Sequence, residues 1–451
     1  MAQISCIKYT DLLKYSFGYI LFSPTYFQNN KLQFWNLLEK QSNKTVADCF
    51  NIVTEVVNNI NQNIICYDLS HAITKFLLDG NEIDKIGSSK KVAQDNDFII
   101  SRLRSYLGQM CIVQENKKQQ LFSTEFLIFR SKNKEISTHT LFIFCMTKFV
   151  QTILQMSQYG TEHPRFYDFI LEKLPLPKAL FDIDDAISKF VKSAQQKQTQ
   201  SKQLYSEAEE LLLRELGLLN YQTKHILTFS TTKKEIDEAH RYDSEYFQPK
   251  YAEIIKKIEK YENGWDFAGK IVNWKKGFEV GTEAYAEIGK EFIRVSDFSV
   301  YGIAESNKKI SKQTFDELKK DYQPKQGEIL FTKDGTIGIS YVLKETIEGI
   351  LSGAFLRLTL KEKYQKFEKE CLSLIFNSIL CKMQVEKLSG GAVIDHLKPS
   401  DFETFKIPLI RKSIQKQIAE RLEESHKLKE ESKRLLEEAK RKVEEEIEKQ
   451  S

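Results

Sequence analysis

Cysteine is sparse in this chain and is nowhere arranged for metal or redox work. The seven residues, Cys6, Cys49, Cys66, Cys111, Cys145, Cys371 and Cys381, form no C-x-x-C pair, which argues against a zinc module and predicts reduced, buried thiols. The seven histidines also lack metal-ligand spacing, so no metal is expected. Long apolar runs are missing. The run in the middle of the first half, Leu141 to Met146, is about six residues against the roughly 20 that a membrane span needs, and the N-terminus has no signal-peptide pattern. A cytoplasmic protein with no membrane partner is expected. There is no G-x-x-x-x-G-K-[ST] loop. The turn from Gly335 to Gly338 reads better as a strand-to-strand turn needing positive φ than as a phosphate nest. Charge of one sign is lacking too: 67 Lys and Arg against 63 Asp and Glu leave a net +4, which neither demands nor excludes a polyanion.

What the chain does have is repetition. Ile99, Ile100 and Gly108 answer Ile329, Leu330 and Gly338, and Ser123 and Phe126 answer Ser352 and Phe355. Asp168, Phe169, Lys173, Pro175 and Leu176 answer Asp401, Phe402, Lys406, Pro408 and Leu409, and TYFQNNKL from Thr25 resembles EYFQPKYA from Glu245. Ile183, Ile187, Ser201, Leu204 and Ala208 then align without a gap to Ile414, Ile418, Ser432, Leu435 and Ala439. The repeated unit is a lobe followed by a rod, giving segments 1–180, 181–220, 221–410 and 411–451. Short β-branched and aromatic runs (64–69, 98–101, 121–129, 292–295, 328–332, 355–360) predict strands, and 138–159 and 367–388 predict helices, so the lobes are expected to be α+β.

The rods are predicted helices. No Pro or Gly falls between Ile183 and Leu216, and Ile187, Val191, Ala194, Ser201, Tyr205, Ala208 and Leu212 recur at helical steps before Gly217. Ile418, Leu422, Ser425, Ser432, Leu436, Ala439 and Val443 repeat the pattern. At 1.5 Å per residue each rod spans roughly 50 Å. So narrow a stripe is marginal alone, so the rods should pair. The 12 Lys or Arg and 11 Glu of residues 411–451 read as a solvated flank. Antiparallel pairing would put the lobes at opposite ends with pseudo-twofold symmetry, matching two patches of duplex DNA about one to one and a half turns apart.

In this order, FIRVSDFSVYGI (292–303), EILFTKDGTIG (328–338), LSGAFLRL (351–358), GGAVIDHLKPSDFETFKIPL (390–409) and the helix opening at 414–422 resemble the DNA-specificity (S) subunits of type I restriction–modification systems. The first half repeats the order more weakly in CYDLSHAIT (66–74), IISRLRSYLG (99–108), LFSTEFLIF (121–129) and YGTEHPRFYDFILEKLPLP (159–177). It departs at DGT, where it reads Arg104, Ser105 and Tyr106, and at GGA, where it reads Gly160 and then TEHP. The resemblance implies two target-recognition domains separated by two long antiparallel coiled-coil helices, each domain reading half of a gapped DNA site. It also implies docking of two methyltransferase subunits, which hold S-adenosylmethionine and methylate adenine, and of two translocase-nuclease subunits that can join them. The chain itself is expected to be non-catalytic and to bind no cofactor, since no (N/D)PP(Y/F) element, cofactor-binding glycine loop or nuclease triad is present. The rival reading is a coiled-coil structural adaptor whose lobes bind protein.

Base readout needs paired donors or acceptors, and phosphate contact needs cations on loops. The first-lobe candidates are Ser88, Ser89, Lys90, Lys91, Arg102, Arg104, Tyr106, Thr161, Glu162, His163 and Arg165. In the second lobe they are Thr282, Glu283, Tyr285, Lys308, Lys309, Lys312, Lys333, Asp334, Thr336, Asp395 and His396. Arg102 and Arg104 could grip guanine or form surface ion pairs. For His163 and His396 a structural hydrogen bond within the loop is favoured over a base contact. Lys308 and Lys309 meet phosphate or only solvent.

Overall fold

The computed structural model describes residues 9–17, 23–59, 63–73, 75–304, 306, 308–389 and 396–449. Its contacts divide the chain into two units, Met1–Thr199 with Glu430–Ser451, and Gln200–Lys429.

In the first unit a four-stranded antiparallel sheet runs in the order Phe50–Ile52, Phe126–Ser131, Phe98–Ser101, Met110–Ile112. The central strand Phe98–Ser101 is buried throughout. Phe98 and Ile100 enter one core with Phe142 and Val150, whereas Ile99 enters another with Phe122, Phe126 and Ile128. A sheet covered on both faces needs continuous apolar strands rather than alternation, which is why FII carries no polar residue. Each such side chain fully withdrawn from water contributes about 1.5–3 kcal/mol. The second face meets a five-stranded sheet in which Ile64–Tyr67 and Gln120–Ser123 pair in parallel.

The second unit repeats this plan. Val272–Lys276, Phe355–Leu360, Ile329–Thr332 and Ser340–Val342 form a four-stranded antiparallel sheet of the same order. Ile329 and Phe331 face one core and Leu330 the other. The parallel pair is now Lys290–Ile293 with Gly349–Leu351. The duplication is therefore one of topology as well as sequence, and the fold of each unit is α+β.

Two sequence readings are corrected. The predicted helices 138–159 and 367–388 are each two helices, Thr138–Met146 with Lys148–Met156 and Lys369–Asn377 with Ile379–Ser389. The breaks fall at Thr147 and Ser378, whose hydroxyls donate to the carbonyls of Phe144 (2.7 Å) and Ile375 (2.8 Å). Such local bonds offer the backbone an alternative to the helix. The run 121–129 likewise divides, with Gln120–Ser123 and Phe126–Ser131 in different sheets.

The structure also resets the register of the repeat. The backbone N–H of Val46 donates to Leu174 and that of Ala268 to Phe405, and the helices Asp168–Glu172 and Pro399–Glu403 follow the same 231-residue offset. Structurally, then, Leu171 corresponds to Phe402 and Pro177 to Pro408, and the Asp168/Asp401 match is two residues out of step. Both Leu171 and Phe402 are buried, which is the property the position requires.

The rods are the helices Asp184–Glu215 and Lys412–Lys449. Within the first unit Ile187, Val191 and Ala194 share a core with Leu436, Ala439, Val443 and Ile447, and Lys197 pairs with Glu431 at 2.5 Å. Within the second, Ala208 and Leu212 share a core with Ile418 and Leu422. There Ser201 meets Ser425, Glu207 meets Arg421, and Glu215 meets Arg411, so the partner number falls as the first rises and the helices are antiparallel. Ser201 Oγ donates to the Ser425 carbonyl and Ser425 Oγ to the Ser201 carbonyl, both at 2.7 Å. Tyr205 stacks obliquely on Tyr301, with ring centroids 5.6 Å apart. These helical segments bury their stripes against each other and against the helix-side core of the lobe, which offsets the weakness of a narrow, partly polar seam.

Candidate nucleic-acid interface

Each unit carries the same loop crossing at the end of its central strand. After Ser101 the Arg102 N–H donates to the Glu125 carbonyl (3.0 Å), and the Phe166 N–H donates to the Arg102 carbonyl (3.2 Å). After Thr332 the Lys333 N–H donates to Ala354 (2.8 Å), and the Leu397 N–H to Lys333 (2.7 Å). Isolated bridges join Leu103 to Arg165 and Asp334 to His396. Arg104 (φ 49°) and Gly335 (φ 65°) adopt the same left-handed conformation. Arg104 therefore stands where the second unit has Gly335, and Leu103 where it has Asp334, one residue from the sequence alignment of DGT. Outside glycine a left-handed residue costs about 1–2 kcal/mol, so Arg104 is held there by its surroundings: its N–H donates to the Pro164 carbonyl at 2.7 Å.

The side chains on this shared backbone differ. In the first unit Arg102 lies 3.1 Å from Asp168 and 3.6 Å from Glu125, and Arg165 grips Glu125 through two bonds of 3.0 and 2.8 Å. The Arg165 guanidinium holds the Glu125 carboxyl below the usual carboxylate range. Arg104 Nη2 reaches His163 Nδ1 at 3.0 Å and the Glu162 carbonyl at 3.3 Å. Tyr106, Thr161, Glu162 and His163 are exposed around it. In the second unit Lys333 is buried, with its amine 2.6 Å from Asp334 Oδ2 and 3.4 Å from His396 Nδ1, and His396 Nδ1 also bonds Asp334 Oδ1. Asp334 is 26% and His396 56% exposed. Thr336 is exposed in the same turn, and Asp395 lies outside the described residues.

The remaining candidates sit on the second sheets. Lys91 turns inward, donating to the Phe126 carbonyl at 2.8 Å, and burial lowers its pKa. Lys90 lies 3.6 Å from Asp68, Ser89 bonds Asn58, and Ser88 is exposed. Lys308 places its ammonium 4.9 Å from the centre of the Tyr285 ring, on the strand Tyr285–Ala286 that pairs with Lys309–Ile310. Thr282 and Glu283 are exposed on the turn before it, and Lys312 opens the helix Lys312–Tyr322. The crossing thus brings together Arg102, Arg104, His163 and Arg165 in one unit and Lys333, Asp334 and His396 in the other.

Sequence reading missed Glu125 and Asp168 as members of the first cluster. Their partners lie 40 and 66 residues away, and no local pattern marks them. Among the described residues no group of three His, Cys, Asp or Glu could hold a metal ion, the six described cysteines are buried thiols, and no helix is long and apolar enough to cross a membrane.

Residues 288–441 match the family model described as the type I restriction modification DNA specificity domain. The matched segment contains the Lys333, Asp334 and His396 crossing and most of the C-terminal helix. No curated protein matches the sequence. Among solved structures, the chain is similar to the S subunit of a type I restriction-modification system from M. genitalium, with 12% identity over 90% of this chain and 95% of that one and a TM-score of 0.41. It is also similar to the HsdS subunit from Thermoanaerobacter tengcongensis, with 14% identity over 90% of this chain and 95% of that one and a TM-score of 0.28. A third similarity is to a chain from a study of type I R-M complex assembly and conformational transition, with 16% identity over 89% of this chain and 96% of that one and a TM-score of 0.28.

Proposed function

We propose that this chain is the non-catalytic specificity subunit of a type I restriction–modification complex. It reads a bipartite, gapped DNA site, one half with the loops around Arg104 and the other with the loops around Asp334. The observation that carries this reading is the repeated crossing: the same strand-end backbone, twice, with different hydrogen-bonding side chains. Sequence is read by contacts to base edges, so one frame carrying two different sets of side chains suits two unlike half-sites. The helices serve for spacing and for docking two methyltransferase subunits, which hold S-adenosylmethionine and methylate adenine, and translocase-nuclease subunits join through them. Such a complex works in the cytoplasm, where the DNA is.

The test is methylation by the purified chain with and without the methyltransferase subunit of its own system. The two together should methylate adenine in a duplex carrying the bipartite site, and neither should do so alone. Methylation by this chain without the partner would make it an enzyme and overturn the proposal. Equal methylation by the partner without this chain would remove its role in specificity.

A further inference from the structure

The Arg104–His163 and Asp334–His396 pairs present groups of opposite hydrogen-bonding sense. In the first unit the partner of His163 Nδ1 is the Arg104 guanidinium, at 3.0 Å. A guanidinium only donates, so Nδ1 of the neutral ring must be the acceptor and the proton sits on Nε2. The Arg104–His163 pair therefore offers donors, the terminal guanidinium N–H groups and the Nε2–H of exposed His163, while Arg104 Nε is buried. In the second unit the close partner of His396 Nδ1 is the Asp334 carboxylate, which only accepts. The proton is then on Nδ1, and Nε2 of the neutral ring is an acceptor. Lys333 also approaches Nδ1, but at 3.4 Å it is the weaker contact, and its amine is engaged by Asp334 Oδ2 at 2.6 Å. Buried Lys333 thereby fixes the carboxylate, and the part-exposed pair offers acceptors: His396 Nε2 and the carboxylate oxygens of Asp334.

We propose that the two units read bases of opposite polarity: Arg104 with His163 takes a base edge of acceptors, guanine O6 and N7, and Asp334 with His396 takes a base offering an exocyclic amino group, cytosine or adenine. This assignment rests on the DNA-reading role proposed above and deepens it. Major-groove chemistry supplies both edges: guanine presents two acceptors there, whereas cytosine N4 and adenine N6 are the donors. Arg104 and Gly335 share one backbone conformation, so exchanging the side chain for hydrogen costs the fold little, and the two half-sites can diverge without rebuilding the loop.

The test uses the full chain assembled with its own methyltransferase subunit, after the site has been mapped by methylation sequencing. Competition binding compares normal duplexes with duplexes carrying 7-deazaguanine in the first half-site, or purine for adenine or 2-pyrimidinone for cytosine in the second. The wild-type complex should lose roughly tenfold in affinity with 7-deazaguanine at one position, and Arg104→Gly should be insensitive to that analogue. One of the amino-lacking analogues should weaken the wild type similarly and leave His396→Ala indifferent; which one does so distinguishes adenine from cytosine. His396→Gln, which keeps an acceptor, should restore part of the sensitivity. Thermal melting of each variant checks that it is folded. Variant and analogue effects that multiply independently in both half-sites would overturn the polarity assignment while leaving a bipartite site intact. Absence of any bipartite site in the wild type would instead overturn the specificity-subunit reading.

Discussion

The first and second units place one backbone under two chemistries, and the contrast shows which parts of the repeat are structural. The strand order, the parallel pair, the helix break at a hydroxyl residue and the left-handed residue in the crossing are common to both. The charged groups around the crossing are not. Arginines held by Glu125 and Asp168 stand on one side, and a lysine–aspartate–histidine cluster on the other. Free variation within a fixed frame is what recognition of unlike sequences demands.

The largest expected contrast is between two charge pairs at the start of the central strands. In the second unit Glu328 lies 3.3 Å from Arg357 and both are buried, with Arg357 also donating to the Asp321 and Gln323 carbonyls. Glu328→Ala leaves a buried guanidinium without its counter-charge and should cost about 3–5 kcal/mol in urea denaturation. At the equivalent Asp97 the partner Arg130 is 37% exposed, so Asp97→Ala should cost less, about 1–3 kcal/mol. Equal losses would remove the distinction.

A second contrast concerns pH. Lys31 is buried, its ammonium over the Tyr26 ring, and burial pushes its pKa down to about 6. The equivalent residue in the second unit is Tyr251, whose hydroxyl donates to Glu245 and whose pKa burial raises to about 12. The unfolded chain keeps the lysine proton up to about pH 10.4, and the folded chain releases it near 6. Stability should therefore rise with pH between those values, by at most about 1.4 kcal/mol per pH unit from this one proton, and this contribution should be flat below. Lys31→Met should remove that part of the slope in denaturation curves taken across the window, and Tyr251→Phe should leave it unchanged below about pH 9, where the tyrosine is protonated in both states.

A smaller effect is expected in the helix seam. Ser425 corresponds to Ala194 by the 231-residue offset, and both are fully buried. Ser425→Ala gives the second unit the residue that the first already has, at the loss of one of the two hydroxyl-to-carbonyl bonds, and should cost about 1 kcal/mol by thermal melting. The smallest stability change belongs to Arg104→Gly, below about 1 kcal/mol, because a lost surface contact is set against relief of a left-handed arginine. A larger loss would mean that Arg104 holds the loop rather than reads with it.

Much of this arrangement was legible in the residues. The Ile187, Val191, Ala194 and Ala208, Leu212 spacing marks the seam, because apolar side chains on a rod with no Pro or Gly have one way to leave water. The matching strands were visible because a sheet covered on both faces demands apolar runs such as FII and ILF. The breaks at Thr147 and Ser378 were not, since neither residue is a strong breaker and the surrounding pattern stays helical. The match of Asp168 to Asp401 misled by two residues, since a local identity outweighed the buried positions that set the register. Glu125 escaped notice for another reason: ion-pair partners distant in sequence leave no periodic trace.

The most direct test of the whole account is methylation sequencing of a host carrying this chain with its own methyltransferase subunit, against the same host lacking the chain. Methylated adenines are expected in a single motif of two short specified segments separated by unspecified bases, present only when the chain is present. A continuous motif, or a methylation pattern unchanged by removing the chain, would contradict it.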